Sequence, residues 1–461
     1  MRWCGNGGQS FAPVPLSDPL TYSATTSRRD ALKILSDAEI LAVIAGDAVP
    51  SMHLQARNGS PEEISKALAL TRGRRILIGP LAAQLASVST ALADEFDAMH
   101  THTVTSENLL EGSRHAAGYG RLAADRDSYA PLIGQLGWRP VAEIELYRGC
   151  TRRRFCSFCS EPVKSPAVSF RDPADVLDEI ARLYAAGVRN FRLGQQTCFF
   201  SYLNRDAGAI GCLLKEIRDQ CPDLEVLHID NADPLAVASR SGAAIARLVA
   251  RYCTEGNCAP MGIESFDPAV IEANTLTCTP EILLRAVANI NEAGTHAGPH
   301  GLPVLLPGLN LVYGMLGETH RTHYENLSWL VRILDSGYLC HRINVRQAHA
   351  YPGTEFSAAL RVAGNPLPSA EHFASWKADI SYVFDQPMKQ RVYPAGMTIP
   401  GLHSFFVTGR GTWHRRLGSY SIQVVEPGTA RPLFEETELV VTGHEPRYIY
   451  GTRPDEAKAA A

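Results

Sequence analysis

Three cysteines stand close together on one short segment of the chain, at Cys150, Cys156 and Cys159. Thiolates are the ligands that soft metal centres prefer, and three of them on one loop can bind three irons of a cubane cluster. A closed structural zinc site needs four ligands, and the surrounding sequence offers no fourth Cys or His at finger or ribbon spacing. The motif therefore favours a [4Fe-4S] cluster with one open iron over a zinc site or ordinary buried thiols.

Three arginines, Arg152 to Arg154, lie in the five-residue spacer between the first two cysteines of this motif. Positive charge beside an anionic cluster favours its reduced state and can dock an acidic electron donor. The simpler alternative is that these side chains are solvated charges on a loop.

The other eight cysteines are scattered along the chain and include no C-x2-C pair. Isolated cysteines usually pack as small apolar side chains. A second cluster built from Cys253, Cys258 and Cys278 is therefore the less favoured interpretation. Cys198 follows a predicted strand and is a candidate catalytic hydrogen-atom donor, with simple burial as the alternative.

Polar residues stand directly at the ends of three predicted strands. They are Asp230 with Asn231, Glu264 with Ser265, and Arg346. Carboxylates, amides and hydroxyls suit the hydroxyl groups of a bound cofactor, and an arginine suits a carboxylate. Capping of the following helix is the alternative for the first four.

The elements that position these residues form a regular alternation of short apolar strands and amphipathic helices over residues 141–390. Parallel strands need long crossovers, and repeated right-handed crossovers curl a sheet into a full or partial barrel. We predict a partial (β/α)6 barrel, in which the active site gathers where strands end. The predicted strands are 141–147, 188–194, 224–230, 260–264, 309–314 and 341–347, and the helices are 173–187, 208–220, 241–252, 279–294, 319–336 and 369–384.

The regions on either side of this barrel have different patterns. Residues 1–140 predict a small Rossmann-like α/β domain after an irregular start at 1–30, with strands at 38–46 and 75–79 and helices at 61–71 and 81–94. Residues 391–461 predict a small β domain, with strands at 404–408, 420–425 and 439–442.

The composition is that of a soluble globular protein, with 45% hydrophobic and 20% charged residues and a formal net charge of -4. A charge excess of the kind that nucleic-acid binding uses is absent from this balance. The apolar run at 40–46 is too short to span a bilayer, and residues 1–8 lack the apolar core of a signal peptide. We therefore expect a cytoplasmic protein with no membrane association.

Segment 147–162 resembles the cluster loop of the radical S-adenosylmethionine (SAM) superfamily, with Phe158 in the aromatic position beside the last cysteine. That superfamily usually has C-x3-C-x2-C, whereas the first spacer here has five residues. Gly194, Gln195 and Gln196 occupy the second-strand position where the superfamily has a Gly-Gly-Glu segment, which contacts the methionine amino group of SAM.

A second similar segment is 313–319, which resembles the Gly-Leu-Pro-Gly-Glu-Thr turn after the fifth strand of that superfamily. There the backbone at Gly314 is expected to support adenine binding. The resemblance further implies that the ribose hydroxyls of SAM are bound by the strand-end residues Asp230, Asn231, Glu264 and Ser265. Arg346 is expected to bind the carboxylate of SAM or to contact the substrate.

More closely, the chain resembles a little-characterised family of Fe-S oxidoreductases with a cobalamin-binding-type domain ahead of the radical SAM domain. The N-terminal region lacks the Asp-x-His-x-x-Gly segment through which many such domains ligate cobalt, because Asp97 and His100 have the wrong spacing. We therefore expect a cobalamin-binding-like remnant, and cobalamin is the less favoured cofactor. The segments that carry this resemblance are 44–50, 227–232, 262–265, 301–303 and 342–347.

The resemblance implies reductive cleavage of SAM to a 5'-deoxyadenosyl radical, which abstracts hydrogen from an unactivated position of a substrate. It implies an electron donor such as flavodoxin or ferredoxin. The substrate is expected to be a peptide or small molecule, with a ribosomal peptide or natural-product scaffold as the favoured class by analogy.

Two alternative functions stay open. A methylthiotransferase-like RNA modifier could hold RNA through the charges of Arg410 and residues 414–416. Methylthiotransferases, however, carry a second cysteine trio in the N-terminal domain, and a single cysteine precedes Cys150 here. The other alternative is a catalytically silent Fe-S protein that binds peptides for a partner enzyme.

Overall fold

The computed structural model describes residues 2–4, 35–44, 61–79, 81–82, 85, 91–100, 139–363, 370–428 and 430–460. Its N-terminal part contains a parallel sheet with its own small apolar core, in which Leu41, Leu68 and Leu77 are buried. This confirms the predicted α/β fold of the region, although half of the predicted helix 81–94 lies outside the described residues. The first elements are β1 (Arg2–Cys4), β2 (Ile40–Ile44), α1 (Pro61–Leu70), β3 (Arg74–Ile78) and β4 (Ala98–His100).

The next eight strands build the predicted barrel. Two of them, β6 and β7, form a short antiparallel ladder, and the other six run parallel in chain order. These strands are β5 (Val141–Glu145), β6 (Tyr147–Arg148), β7 (Ser169–Phe170), β8 (Asn190–Gly194), β9 (Val226–Ile229), β10 (Asn257–Glu264), β11 (Leu305–Tyr313) and β12 (Ile343–Gln347).

The six parallel strands fall into two ladders, β5-β8-β9 and β10-β11-β12, which meet just beyond β9. There a parallel bridge pairs Ala232 with Met261, and the Ala232 N–H donates to the Pro260 carbonyl at 2.8 Å. At the other edge, β1 pairs antiparallel with β5. This edge pairing makes the expectation of an irregular start wrong for residues 2–4, because an open strand edge is a ready partner for another strand.

Helices cover the outside of the barrel, and several begin at an Asp-Pro or Thr-Pro pair. Asp172, Asp233 and Asp267 each accept a backbone N–H of the helix that follows, and proline occupies the first turn. Proline fits there because its fixed φ suits the helix and no donor is lost. The helices are α2 (Glu161–Lys164), α3 (Pro173–Ala185), α4 (Ala207–Gln220), α5 (Pro234–Val237), α6 (Arg240–Tyr252), α7 (Pro268–Ala273), α8 (Pro280–Gly294), α9 (His320–Asp335), α10 (Glu355–Ala363), α11 (Ala370–Ile380) and α12 (Gln386–Val392).

The C-terminal region is a closed five-stranded barrel in the order β13-β14-β15-β17-β16, as the predicted small β domain requires. Its apolar residues, such as Leu402, Val424 and Leu439, belong to the same buried cluster as the parallel strands. The two barrels therefore share one core. The elements are β13 (Thr398–Thr408), β14 (Gly411–Arg416), β15 (Gln423–Pro427), β16 (Glu436–His444), β17 (Ile449–Thr452) and α13 (Pro454–Ala460).

Candidate functional site

The three clustered cysteines lie on the loop that leaves β6 at the carboxyl end of the first barrel strand. The loop begins at Gly149, whose φ is +84°. A Cβ there would lie 2.6 Å from the Ala167 carbonyl oxygen, so only glycine fits without a shift. The Gly149 N–H donates to the Glu161 carboxylate at 3.0 Å, and its carbonyl accepts from the Thr197 hydroxyl at 3.1 Å. The entry to the loop is thus fixed on both sides.

The second half of the loop is attached to the opposite side of the barrel. The Ser157 hydroxyl donates to the Asn274 side-chain oxygen at 2.8 Å, and the Ser157 N–H donates to the Asn274 carbonyl at 2.9 Å. Phe158 is partly buried and packs against an apolar cluster that includes Val312 and Phe356. These contacts hold the last two cysteines near the ends of β10 and β11.

The three thiols lie within electrostatic range of one another. The pKa of Cys156 is raised to about 12, chiefly by burial; the charge of Arg152 opposes this rise, and the charges of Glu264, Cys159 and Cys150 add to it. Burial also raises the pKa values of Cys150 and Cys159. Metal binding would replace protons that these sites hold tightly.

The three thiols suit a cluster rather than a single metal ion. In the described part of the chain, the His, Cys, Asp and Glu side chains form no group of three that could hold a single metal ion. A cubane takes each thiolate on a different iron, so it does not require three sulfurs around one ion. Three soft thiolates on a fixed loop fit the open [4Fe-4S] cluster that the sequence predicts.

Arg152 turns inward toward the second cysteine. Its guanidinium forms two bonds to the Asp233 carboxylate, at 3.1 and 2.8 Å, and donates to Cys156 Sγ at 3.1 Å. Burial lowers the pKa of Arg152, but the Asp233 carboxylate outweighs it and the net shift is upward. Arg153 and Arg154 are exposed, as the solvated-loop alternative expects.

Glu264 ends β10 beside the cysteine loop, with a φ of +64°. Its side chain folds over Gly262, where a Cβ would collide with the carboxylate. Burial raises the pKa of Glu264 to about 7, and the nearby charges of Arg152 and Arg346 oppose that rise. The structure shows no hydrogen bond to this carboxylate from any residue that it describes, so its oxygens can accept from a ligand.

The end of β8 provides space and one exposed amide. A Cβ at Gly194 would lie 2.5 Å from Glu143 Oε1, so glycine at this position leaves room for the Glu143 side chain. Gln196 is buried, and its side chain accepts from the Leu146 N–H at 3.3 Å and donates to the Leu193 carbonyl at 2.9 Å. Gln195 is exposed at a φ of +69° and is the residue of this segment available to a ligand.

Asp230 and Asn231 are both engaged within the protein. The Asp230 carboxylate accepts from Arg192 and, at 2.8 Å, from the Tyr420 hydroxyl of the C-terminal barrel. Asn231 has a φ of +45° and donates to the Gln196 carbonyl at 3.1 Å. These contacts give both residues positions in the barrel wall, and the ribose role predicted for them stays a prediction.

The remaining predicted residues lie around the same rim. Ser265 is fully buried, and its hydroxyl accepts from the Asp267 N–H at 3.2 Å. Gly314 has a φ of +85° and donates its N–H to the Glu318 carboxylate at 2.7 Å, which closes the turn after β11. Arg346 stands one residue before the end of β12 and is exposed. Ser265 therefore has a capping contact, whereas Arg346 is accessible.

The proposed hydrogen-atom donor is buried. Cys198 is 2% exposed in the main core, and its sulfur accepts from the Asp233 N–H at 3.1 Å. Cys253, Cys258 and Cys278 are also buried, which agrees with their interpretation as packed thiols. Burial favours the packed-thiol alternative for Cys198, and its role as a hydrogen-atom donor stays a prediction.

The residues suggested for RNA binding do not form an exposed basic surface. His414 is buried and bonds to Glu426 at 3.0 Å, and Arg416 pairs with Glu255 at 2.5 Å. Arg410 donates to the Tyr448 hydroxyl at 2.6 Å. The structural basis for the RNA-modifier alternative is therefore weak.

Two residues of the site were not identified from the sequence as parts of it, Asp233 and Glu318. Asp233 precedes a proline, and that signal indicates a helix start rather than an arginine partner. Glu318 belongs to the turn 313–319, but its bond to Gly314 depends on the conformation of that turn.

Comparison with known proteins agrees with this geometry. Residues 144–321 match the family model of the radical SAM superfamily. The chain is 34% identical over 447 residues to an uncharacterised protein of Archaeoglobus fulgidus, covering 92% of this chain and 82% of that protein. A ribosomal protein uS12 methylthiotransferase of Streptomyces griseus matches at 36% identity over 104 residues, 23% of this chain and 19% of the relative.

Among solved structures, the radical SAM methyltransferase TsrM from Kitasatospora setae, with cobalamin and a [4Fe-4S] cluster bound, aligns with a TM-score of 0.47 and 15% identity. The alignment covers 73% of this chain and 71% of TsrM.

The parallel partial barrel with a three-cysteine loop at its strand ends defines a class of iron-sulfur enzymes that act on SAM. This chain belongs to the radical SAM superfamily through residues 144–321, and the Archaeoglobus protein is its relative over most of its length. Its cofactors are a [4Fe-4S] cluster and SAM. Within the described ranges, none of the helices is both long and apolar enough to cross a membrane.

Proposed function

We propose that this enzyme cleaves SAM reductively and uses the 5'-deoxyadenosyl radical to abstract hydrogen from an unactivated position of its substrate. The observation that carries this proposal is the loop of three thiols beside Glu264, a half-buried carboxylate without a hydrogen-bond partner among the described residues. When bound, the cluster supplies the electron and an open iron for SAM.

The chain's own residues hold and orient the reactants. Cys150, Cys156 and Cys159 hold the cluster, and the Glu264 carboxylate accepts from the ribose hydroxyls of SAM. Gln195 presents its amide to the methionine amino group, in the position where the superfamily has a Glu. The backbone at Gly314 and the apolar face of Phe158 support the adenine, and Arg346 pairs with a carboxylate.

The lining of the barrel supports a polar substrate. Arg192 pairs with Asp230, and Asn344 donates to Asn310 at 3.0 Å on neighbouring strands. Arg342 stacks over the Tyr420 ring, 4.7 Å from its centroid. Such groups suit a substrate that offers hydrogen-bonding atoms, and a peptide or other polar natural-product scaffold satisfies this condition.

The electron donor, a flavodoxin or ferredoxin, is proposed to dock at the exposed side of the cysteine loop. Arg153 and Arg154 are exposed there, and Phe155 is an exposed aromatic residue between them and Cys156. An acidic protein surface would complement this pair of charges.

We propose that the N-terminal domain is a cobalamin-binding-like remnant and that the enzyme works without cobalamin. His100 is buried in β4, and Asp97 accepts from the Arg75 N–H at 2.7 Å. Neither residue is placed as a ligand for cobalt on an open surface.

Deuterium transfer tests this function. The reconstituted enzyme is incubated with SAM, a reductant and an extract from cells grown in deuterated medium, fractionated into small molecules, peptides and RNA. We expect deuterium in 5'-deoxyadenosine with the peptide or small-molecule fraction. Label from the RNA fraction alone would favour the RNA modifier, and 5'-deoxyadenosine without label from any fraction would contradict hydrogen abstraction from a cellular substrate.

A further inference from the structure

The guanidinium of Arg152 is fixed between Asp233, which lies far along the chain, and Cys156 of its own loop. Its side chain is 19% exposed and its partner Asp233 is 7% exposed. Both nitrogens on one side of the guanidinium bond to the two oxygens of Asp233, and the third nitrogen donates to Cys156 Sγ at 3.1 Å. A planar fork held by two bonds directs its remaining donor in one direction.

Asp233 is itself held rigidly. It caps α5, accepting from the Leu235 N–H at 3.1 Å, and its own N–H donates to Cys198 Sγ at 3.1 Å. The arginine is therefore supported by a strand end and a helix start on the opposite side of the cysteine loop. Arg152 is the second of the five residues between Cys150 and Cys156.

We propose that Arg152 is a positioning residue that raises the reduction potential of the cluster by donating a hydrogen bond to the Cys156 sulfur, and that Asp233 both fixes and partly neutralises it. This inference rests on the proposed function, because it requires Cys156 to be a cluster ligand. Reduction adds negative charge to the cluster and its thiolates. A donor and a positive charge at the sulfur stabilise the reduced form more than the oxidised form.

The test is a potentiometric titration of the reconstituted, SAM-free protein, followed by the electron paramagnetic resonance signal of the reduced cluster. For Arg152→Gln we expect a more negative midpoint potential. A roughly tenfold lower ratio of reduced to oxidised cluster at fixed potential corresponds to a shift of about 59 mV. Arg154→Gln is the matched control on the same loop, and it should leave the midpoint near that of the wild type.

Asp233→Asn gives a second test with the opposite sign. Asparagine keeps the helix cap and one acceptor for Arg152, but it removes the neutralising charge. The midpoint potential of Asp233→Asn should therefore become more positive. General damage to the loop would not shift the midpoint in opposite directions in Arg152→Gln and Asp233→Asn. Arg152→Lys, which keeps the charge without the fork, should lie between wild type and Arg152→Gln.

The outcomes separate this inference from the proposed function. If wild-type protein holds no cluster, the proposed function fails first. If all proteins hold about four irons and the midpoints of wild type, Arg152→Gln and Arg152→Lys coincide, only the inference about Arg152 is overturned. If Arg152→Gln holds no cluster, Arg152→Lys and Asp233→Asn decide, and a negative or absent shift in Asp233→Asn overturns the proposal.

Discussion

Glu264 is the residue on which the proposed SAM site depends most. Its carboxylate is half-buried beside Arg152 and Arg346 and has no hydrogen-bond partner in the described structure. For Glu264→Ala we expect at least about tenfold weaker SAM binding, because a hydrogen bond to a charged group contributes roughly 1.5 to 3 kcal/mol. Calorimetric titration of SAM into the reconstituted proteins measures the change.

The control for this substitution is Glu272→Ala, which removes an exposed carboxylate from the nearby helix α7. Iron content should stay at the wild-type level in both variants, because the cysteines hold the cluster independently. Unchanged SAM affinity together with a lowered melting temperature in Glu264→Ala would show that the carboxylate only stabilises the fold.

Glu318 gives a prediction about pH. Burial raises its pKa to about 7, against the opposing N–H bonds of Gly314 and Met315. A carboxyl group whose pKa is higher in the folded than in the unfolded state stabilises the fold fully at pH values below its pKa in the unfolded state. This contribution is lost as the pH rises through the folded-state pKa of about 7. Relative to Glu318→Gln, the wild type should lose about 1.4 kcal/mol of unfolding free energy in total between pH 6 and 8, most of it below pH 7.

Chemical unfolding of the iron-free proteins at pH 6, 7 and 8 measures this difference, with Glu325→Gln on the surface of α9 as the control. A constant difference between wild type and Glu318→Gln over this range would show that Glu318 is ionised throughout.

Sequence reasoning identified the cysteines and Glu264 because motif and strand-end position are visible in the chain. It did not distinguish residues that face a ligand from residues whose side chains bond to other parts of the barrel. Asp230 and Gln196 bond to groups far away in the chain, Tyr420 and Leu146 among them. Such partners depend on how elements pack, and a single sequence does not contain that information.

At the scale of elements, the conformation of the cysteine loop depends on Gly149. Gly149→Ala places a Cβ 2.6 Å from the Ala167 carbonyl oxygen at a φ of +84°. We expect reconstituted iron to fall well below the wild-type level, because alanine at positive φ costs roughly 1 to 2 kcal/mol before any collision. Iron and sulfide analysis after gel filtration measures the loss.

Gly187→Ala is the matched control for this loop. Gly187 has a φ of +103°, and no heavy atom of the described chain lies within 4 Å of the added Cβ. It should lower stability while leaving iron content unchanged. Equal iron in both variants would contradict a role for the Gly149 turn in cluster binding.

The six barrel strands were all predicted, but two of them begin earlier than expected. Strands β10 and β11 start at Asn257 and Leu305, ahead of Pro260 and Pro307. Proline usually marks a strand boundary because it has no N–H to donate. Here the carbonyls of both prolines accept, from Ala232 at 2.8 Å and from His341 at 2.7 Å, so the strands continue through them.

At the scale of the whole molecule, Tyr420 links the two barrels. Its hydroxyl donates to Asp230 at 2.8 Å and accepts from Arg192 at 3.1 Å. For Tyr420→Phe we expect a loss of about 1 to 3 kcal/mol, because the buried Asp230 loses a partner. Thermal unfolding measures it, with the exposed Tyr382→Phe as control. Equal melting temperatures in the two variants would contradict this link.

The division into regions 1–140, 141–390 and 391–461 stays a prediction, and no pattern in the chain indicated that the two barrels share a core. Ile399 and Val441 are buried in one cluster with barrel residues such as Leu309. Alternating apolar residues predict that a strand has a buried face, but they do not say which element covers it. We expect the two barrels to unfold in a single transition.

The central claim is that this chain uses SAM at a cluster on Cys150, Cys156 and Cys159. Its most direct test is the anaerobic incubation of reconstituted protein with SAM and dithionite, followed by mass spectrometry for 5'-deoxyadenosine. Wild type and Cys212→Ala, which changes an exposed cysteine of α4, should both form it, and Cys156→Ala should not. Wild-type protein with a full complement of iron that forms no 5'-deoxyadenosine, or equal formation by Cys156→Ala, would contradict the claim.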